Sequence, residues 1–108
     1  MKIIRNKISI IELKEIACQM FDNLVKAVVD VEKGVMSIGG ELHSDEEAQL
    51  LEQGSKQHDL WGINLYPEME DDCWIEFDSL INIRPSAGNR TRVINDYKIR
   101  DMISKIVN

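Results

Sequence analysis

The chain has 108 residues, of which 44% are hydrophobic and 30% charged, and its net charge is −6. This size suits one domain over residues 1–108, and the apolar share is enough for a core, which excludes wholesale disorder. The acidity argues against general nucleic-acid binding, which rests on neutralising phosphates, and no apolar run approaches membrane-spanning length.

Ile3 and Ile4 predict a short opening strand. Ser9-Ile10-Ile11-Glu12 has the form of a capping box, in which Ser9 and Glu12 each bond the other's backbone N–H. Beyond it Ile10, Leu13, Ala17, Met20, Phe21 and Leu24 recur at steps of three and four, so one helix face is apolar. From Val25 the period becomes two: Val25, Ala27, Val29 and Val31 alternate with Lys26, Val28 and Asp30. Lys33-Gly34 predicts a two-residue hairpin turn, with Val31 facing Met36 and Val29 facing Ile38 on the returning strand. Ser44-Asp45-Glu46-Glu47 predicts the capped start of a short second helix, buried through Ala48, Leu50 and Leu51 and ended by Gly54.

Trp61, Ile63 and Leu65 alternate with Gly62, Asn64 and Tyr66 in a strand stopped by Pro67. The longest strand is expected over Trp74 to Arg84. It would place Ile75, Phe77, Ser79, Ile81 and Ile83 on one face, and Trp74, Glu76, Asp78, Leu80, Asn82 and Arg84 on the other. Pro85 closes it. Asn95 or Asp96 caps a last helix with the stripe Ile99, Met102, Ile103, Ile106 and Val107. The order β-α-ββ-α-ββ-α describes an α+β fold, a two-layer sandwich of mainly antiparallel sheet with its helices on one face.

The other sheet face is then expected to be open and partly polar, carrying Lys26, Asp30, Ser37, Asn64, Tyr66, Glu76, Asp78, Asn82 and Arg84. Antiparallel sheets commonly keep one solvated face. The same face offers a surface for a homodimer through Trp74, Leu80 and Tyr66.

Charge is unevenly spread. From Glu41 to Asp78 stand twelve acids and one base, Lys56, whereas Arg84 to Arg100 holds five bases and one acid, Asp96. Within the basic stretch, Arg84-Pro85-Ser86-Ala87-Gly88-Asn89-Arg90-Thr91-Arg92 is the sharpest candidate site. Gly88-Asn89 accepts the positive φ that turns N–H groups inward, and three guanidiniums with two hydroxyls suit phosphate or carboxylate. The expected function is a small ligand-binding or regulatory domain that holds an anionic ligand through Arg84, Ser86, Asn89, Arg90, Thr91 and Arg92, with Asn82 and Asn64 nearby. The competing expectation is that these arginines pair with the chain's own acids, at about 0–1 kcal/mol per exposed pair.

His43 and His58 lie in no metal-binding spacing and read as solvated residues around a helix start, so neither metal nor cofactor is expected. Glu76 and Asp78, two residues apart on one strand face, carry a further alternative, a hydrolase using a divalent ion. Cys18 and Cys73 fit no CxxC or CxxH pattern, which points to mostly buried thiols in a reducing cytoplasm. Met1 to Lys7 lack the apolar core of a signal peptide.

Four blocks, Leu24 to Asp30, Gly40 to Glu47, Asp59 to Pro67 and Phe77 to Pro85, together resemble a family of short bacterial and archaeal proteins catalogued as a domain of unknown function. The resemblance spans nearly the whole chain and implies one domain. It implies no catalytic residue, cofactor or partner.

Overall fold

The computed structural model describes residues 1–108, apart from the side chain of Asp72. The alternating stretches of the sequence form an antiparallel sheet of β1 (Lys2–Ile4), β2 (Val25–Asp30), β3 (Val35–Ile38), β4 (Leu60–Leu65) and β5 (Ile75–Glu76), ordered β1-β3-β2-β4-β5. Three helices accompany it: α1 (Ile10–Gln19), α2 (His43–Glu52) and α3 (Tyr97–Val107). The α+β class, the antiparallel sheet and the element order are as the sequence predicts. Among the described residues, no helix is long and apolar enough to cross a membrane.

The helices divide between the sheet's faces instead of sharing one. Odd-numbered residues of β2 and β4 (Val25, Ala27, Val29, Trp61, Ile63, Leu65) pack with Leu13 and Ala17 of α1 and Ile103 and Val107 of α3. Even-numbered Val28 and Leu60 instead form a second cluster with Val35 and Leu50 of α2. The two-layer arrangement with one open face is thus corrected to a sheet covered on both sides. Val28, between Ala27 and Val29, is the apolar residue that breaks the simple alternation and requires this cover.

Local chemistry explains three further differences. Asp30 Oδ1 accepts the N–H groups of Glu32 and Lys33, each at 2.9 Å, and Gly34 N donates to Asp30 O. That turn ends β2 early, so Val29 faces Met36 and Ala27 faces Ile38, a slip of two residues that leaves every side chain on its predicted face. α2 begins at His43 with Leu42 as its N-cap and no side-chain cap bond, so Ser44 does not play its expected part. Its buried residues are Glu46 and Leu50, while Ala48 is exposed. α1 keeps half of its capping box: Ser9 Oγ accepts Glu12 N–H at 3.1 Å, and the Glu12 carboxylate meets Lys2. Asp96 caps α3 by accepting Lys98 N–H at 2.8 Å.

The expected long strand is the largest correction. Regular pairing in it stops after Glu76. Ser79 Oγ then accepts Ile81 N–H and starts a 3₁₀ turn, Leu80–Asn82, and a second turn follows at Pro85–Ala87. Side chains that bond nearby backbone give the chain an alternative to a sheet ladder, and Ser79 does so. Asn82 is fully buried and Ile83 is exposed, the reverse of the predicted faces. The Asn82 carboxamide accepts Gly62 N–H at 2.8 Å and donates to Gly62 O at 2.9 Å, replacing a neighbouring strand along the outer edge of β4. Gly62 permits this, because a Cβ there would stand 2.6 Å from Ser79 Cβ. Cys18 and Cys73, expected inside, are exposed: Cys18 flanks the α1 stripe on its solvent side, and Cys73 lies in the 3₁₀ turn before β5.

Candidate functional site

Strand register sets Lys26 of β2 beside Asn64 of β4, and Asn64 beside Glu76 of β5. These residues form a polar row on the face that α2 covers. Asn64 Nδ2 donates to Glu76 Oε1 at 2.8 Å and to Asp78 O at 3.3 Å. Tyr66 donates its phenolic proton to the same Glu76 oxygen at 3.1 Å. Burial and then the Glu76 charge raise the Tyr66 pKa, so the phenol remains a donor.

α2 lays two ionisable groups onto this face. His43 Nε2 lies 2.8 Å from Ile63 O. A carbonyl can only accept, so Nε2 carries the proton of the neutral ring and Nδ1 is left as an acceptor. Burial lowers the His43 pKa; the Ile63 bond opposes that shift and the nearby Lys26 charge adds to it. The ring is neutral at pH 7. Glu46, one helical turn on, is completely buried, and its Oε2 accepts Gly40 N–H at 3.0 Å. Burial pushes its pKa up to about 9, which keeps it protonated at neutral pH. Both groups are thus held uncharged.

A cavity of about 210 Å³ opens between the start of α2 and the turn at Ser79–Ile81. Its lining combines the polar residues Lys26, His43, Ser44, Ser79 and Arg92 with the apolar Leu42, Leu80 and Ile81. Among the described residues, no carboxylate lines it. Lys26 and Arg92 supply two fixed positive charges. Asp78 orients Arg92, with Nε to Oδ1 at 2.9 Å, and the Lys26 ammonium lies 4.9 Å from the centre of the Phe21 ring. Arg92 is also positioned through its backbone, whose carbonyl accepts Ser79 N–H and the Asn82 amide.

A family model described as a protein of unknown function, DUF5674, matches residues 2–108. The chain belongs to this family. No curated protein and no solved structure matches it.

In this family member the predicted site residues do not converge. Arg84 and Asn89 close the loop by a pair of backbone hydrogen bonds, and Gly88 takes the left-handed conformation at φ 80°. The N–H groups of Ala87, Gly88 and Asn89 all reach carbonyls of the loop itself, so they do not form the expected anion-binding concavity. Arg84 turns inward, donates to Leu60 O and lies 4.5 Å above the Trp61 ring. Burial lowers its pKa and the Glu47 charge raises it. Arg90 and Ser86 are exposed, and Arg92 points to the cavity on the other side of the turn.

The asparagines are structural pins. Asn89 is buried and donates to Asn82 O, Thr91 O and Val93 O, while its Oδ1 accepts Asn95 N–H. Thr91 Oγ1 donates to Val93 O. A second cavity, of about 500 Å³, lies beside the Ala87–Asn89 turn, but its lining includes Asp96 and none of the three arginines.

Of the eight predicted residues, Arg92 alone lines the smaller cavity, and Asn64 lies in the polar row beside it. Sequence reasoning missed Lys26 and His43 as partners of Arg92. Lys26 had one visible signal, a charge in an otherwise apolar run from Val25 to Val29. His43 had none, because its role depends on α2 crossing this face. Glu76 and Asp78, the carboxylates of the hydrolase alternative, are bonded to Asn64 and Tyr66, and to Arg92, respectively. No group of three or more His, Cys, Asp or Glu that could hold a metal is present among the described residues. Of the residues expected to support a homodimer, Leu80 is exposed in the 79–82 segment, Tyr66 is half-buried and Trp74 packs against the core on the other face.

Proposed function

We propose that this protein is a small ligand-binding or regulatory domain whose ligand presents a carboxylate or phosphate to Lys26 and Arg92 beside His43. The observation that carries this reading is the wall of the 210 Å³ cavity, which gathers two fixed cations and a neutral imidazole with no lining carboxylate among the described residues. Charge-assisted hydrogen bonds are the stronger kind, so Lys26 and Arg92 are the groups that orient an anion here. His43 adds an uncharged partner, and Ser44 a hydroxyl. The anionic ligand expected from the Arg84–Arg92 loop is retained, and of the loop's residues this reading keeps Arg92 alone. Two exposed thiols, Cys18 and Cys73, suit a reducing cytoplasm.

Calorimetric titration with inorganic phosphate and with propionate tests the reading. Binding of either is expected, weakened at least tenfold by Lys26→Met with Arg92→Met, and unchanged by Arg90→Ala at the loop tip. Equal binding by the wild type and the double variant would remove the proposed site.

A further inference from the structure

The apolar lining of the cavity indicates what else the ligand carries. Leu42 and Leu80 both line the cavity, one just ahead of α2 and the other in the 3₁₀ turn, together with Ile81. Leu42 is 55% exposed and Leu80 66% exposed, the latter close to the fully anchored Asn82. Neither belongs to a core cluster of the fold. A single exposed leucine is ordinary. Two that line one small cavity together with Lys26 and Arg92 give the site both apolar and cationic lining.

Resting on the anion reading above, we propose that the ligand is amphipathic: an anionic head on Lys26 and Arg92 with a short hydrocarbon tail against Leu42 and Leu80. A short-chain fatty acid has this chemistry. A bare inorganic anion leaves the leucines in water, and a neutral hydrocarbon makes no use of Lys26 and Arg92. The anion fixes orientation and the tail adds affinity by removing apolar surface from water.

The test is a series of straight-chain carboxylates from acetate to octanoate, titrated into the full chain at constant salt, with octanamide as the uncharged control. Affinity is expected to rise about fourfold per added methylene, the equivalent of about 0.8 kcal/mol, and to level off once the cavity is filled. Leu42→Ser with Leu80→Ser, both at exposed positions, should flatten this rise and leave acetate and phosphate binding unchanged. Octanamide should bind at least tenfold more weakly than octanoate. If acetate binds but affinity does not grow with chain length, the amphipathic ligand is wrong and the anion site stands. A rise that survives in the double leucine variant would also overturn the amphipathic ligand, because the tail then binds elsewhere. If no carboxylate and no phosphate binds, both proposals fall.

Discussion

The two faces of the sheet are built on different principles. Toward α1 and α3, every inward residue of β2 and β4 is apolar, and Leu13, Ile103 and Val107 close over them. Toward α2, a smaller apolar cluster around Val28 and Leu50 adjoins Lys26, His43, Glu46, Asn64 and Asn82. The first face needs only shape and hydrophobicity. The second must give each buried polar group a partner or hold it uncharged, since an unmet buried group costs more than a hydrogen bond returns. A fold that needed only stability has little reason to collect so many polar groups under one short helix, and this contrast points to the candidate site.

Mutations should separate the faces, beginning with the largest effect. Ile103→Ala empties a fully buried position on the apolar side and is expected to cost about 2–5 kcal/mol in urea unfolding. Asn82→Ala, in the polar segment, should cost about 2–3 kcal/mol, because it strands both Gly62 backbone groups.

The two uncharged ionisable groups predict a pH profile. Glu46 has a folded pKa raised from 4.5 to about 9, so its contribution is fully present below pH 4.5 and is lost as pH rises through 9. His43 has a folded pKa lowered from 6.5, so its contribution is present above 6.5 and is lost as pH falls through the lower folded value. Glu46→Gln should remove the alkaline limb alone and raise stability at pH 8 by on the order of 1–3 kcal/mol, read from urea midpoints between pH 5 and 9. An unchanged alkaline slope in that variant would assign it to another group.

The smaller effects belong to the cations. Arg84→Met loses its stacking on Trp61, about 1 kcal/mol, with phosphate binding unaffected. Lys26→Met should change stability by less than about 0.5 kcal/mol, so a large loss there would erase the distinction between folding face and ligand face.

The apolar face was legible because its signals are periodic and local. The α3 stripe, the odd positions of β4 and a cap at Asn95 or Asp96 follow directly from spacing and residue type. The polar face was harder. Ile75 to Ile83 alternates as a strand does, but Ser79 and Asn82 bond backbone groups and turn the chain, which periodicity cannot register. Asp30 likewise takes two N–H groups and moves the hairpin register by two residues. Arg84, Arg90 and Arg92 look equivalent as letters. One packs on Trp61, one is exposed and one reaches the cavity, and only tertiary structure distinguishes them.

The most direct measurement is an NMR titration of the ¹⁵N-labelled chain with phosphate and with propionate, following backbone and His43 imidazole resonances. The account predicts shifts centred on Lys26, His43, Ser44 and Arg92, with the Ser86 to Arg90 amides still. Shifts centred on Ser86 to Arg90, or no shift with either anion, would contradict it.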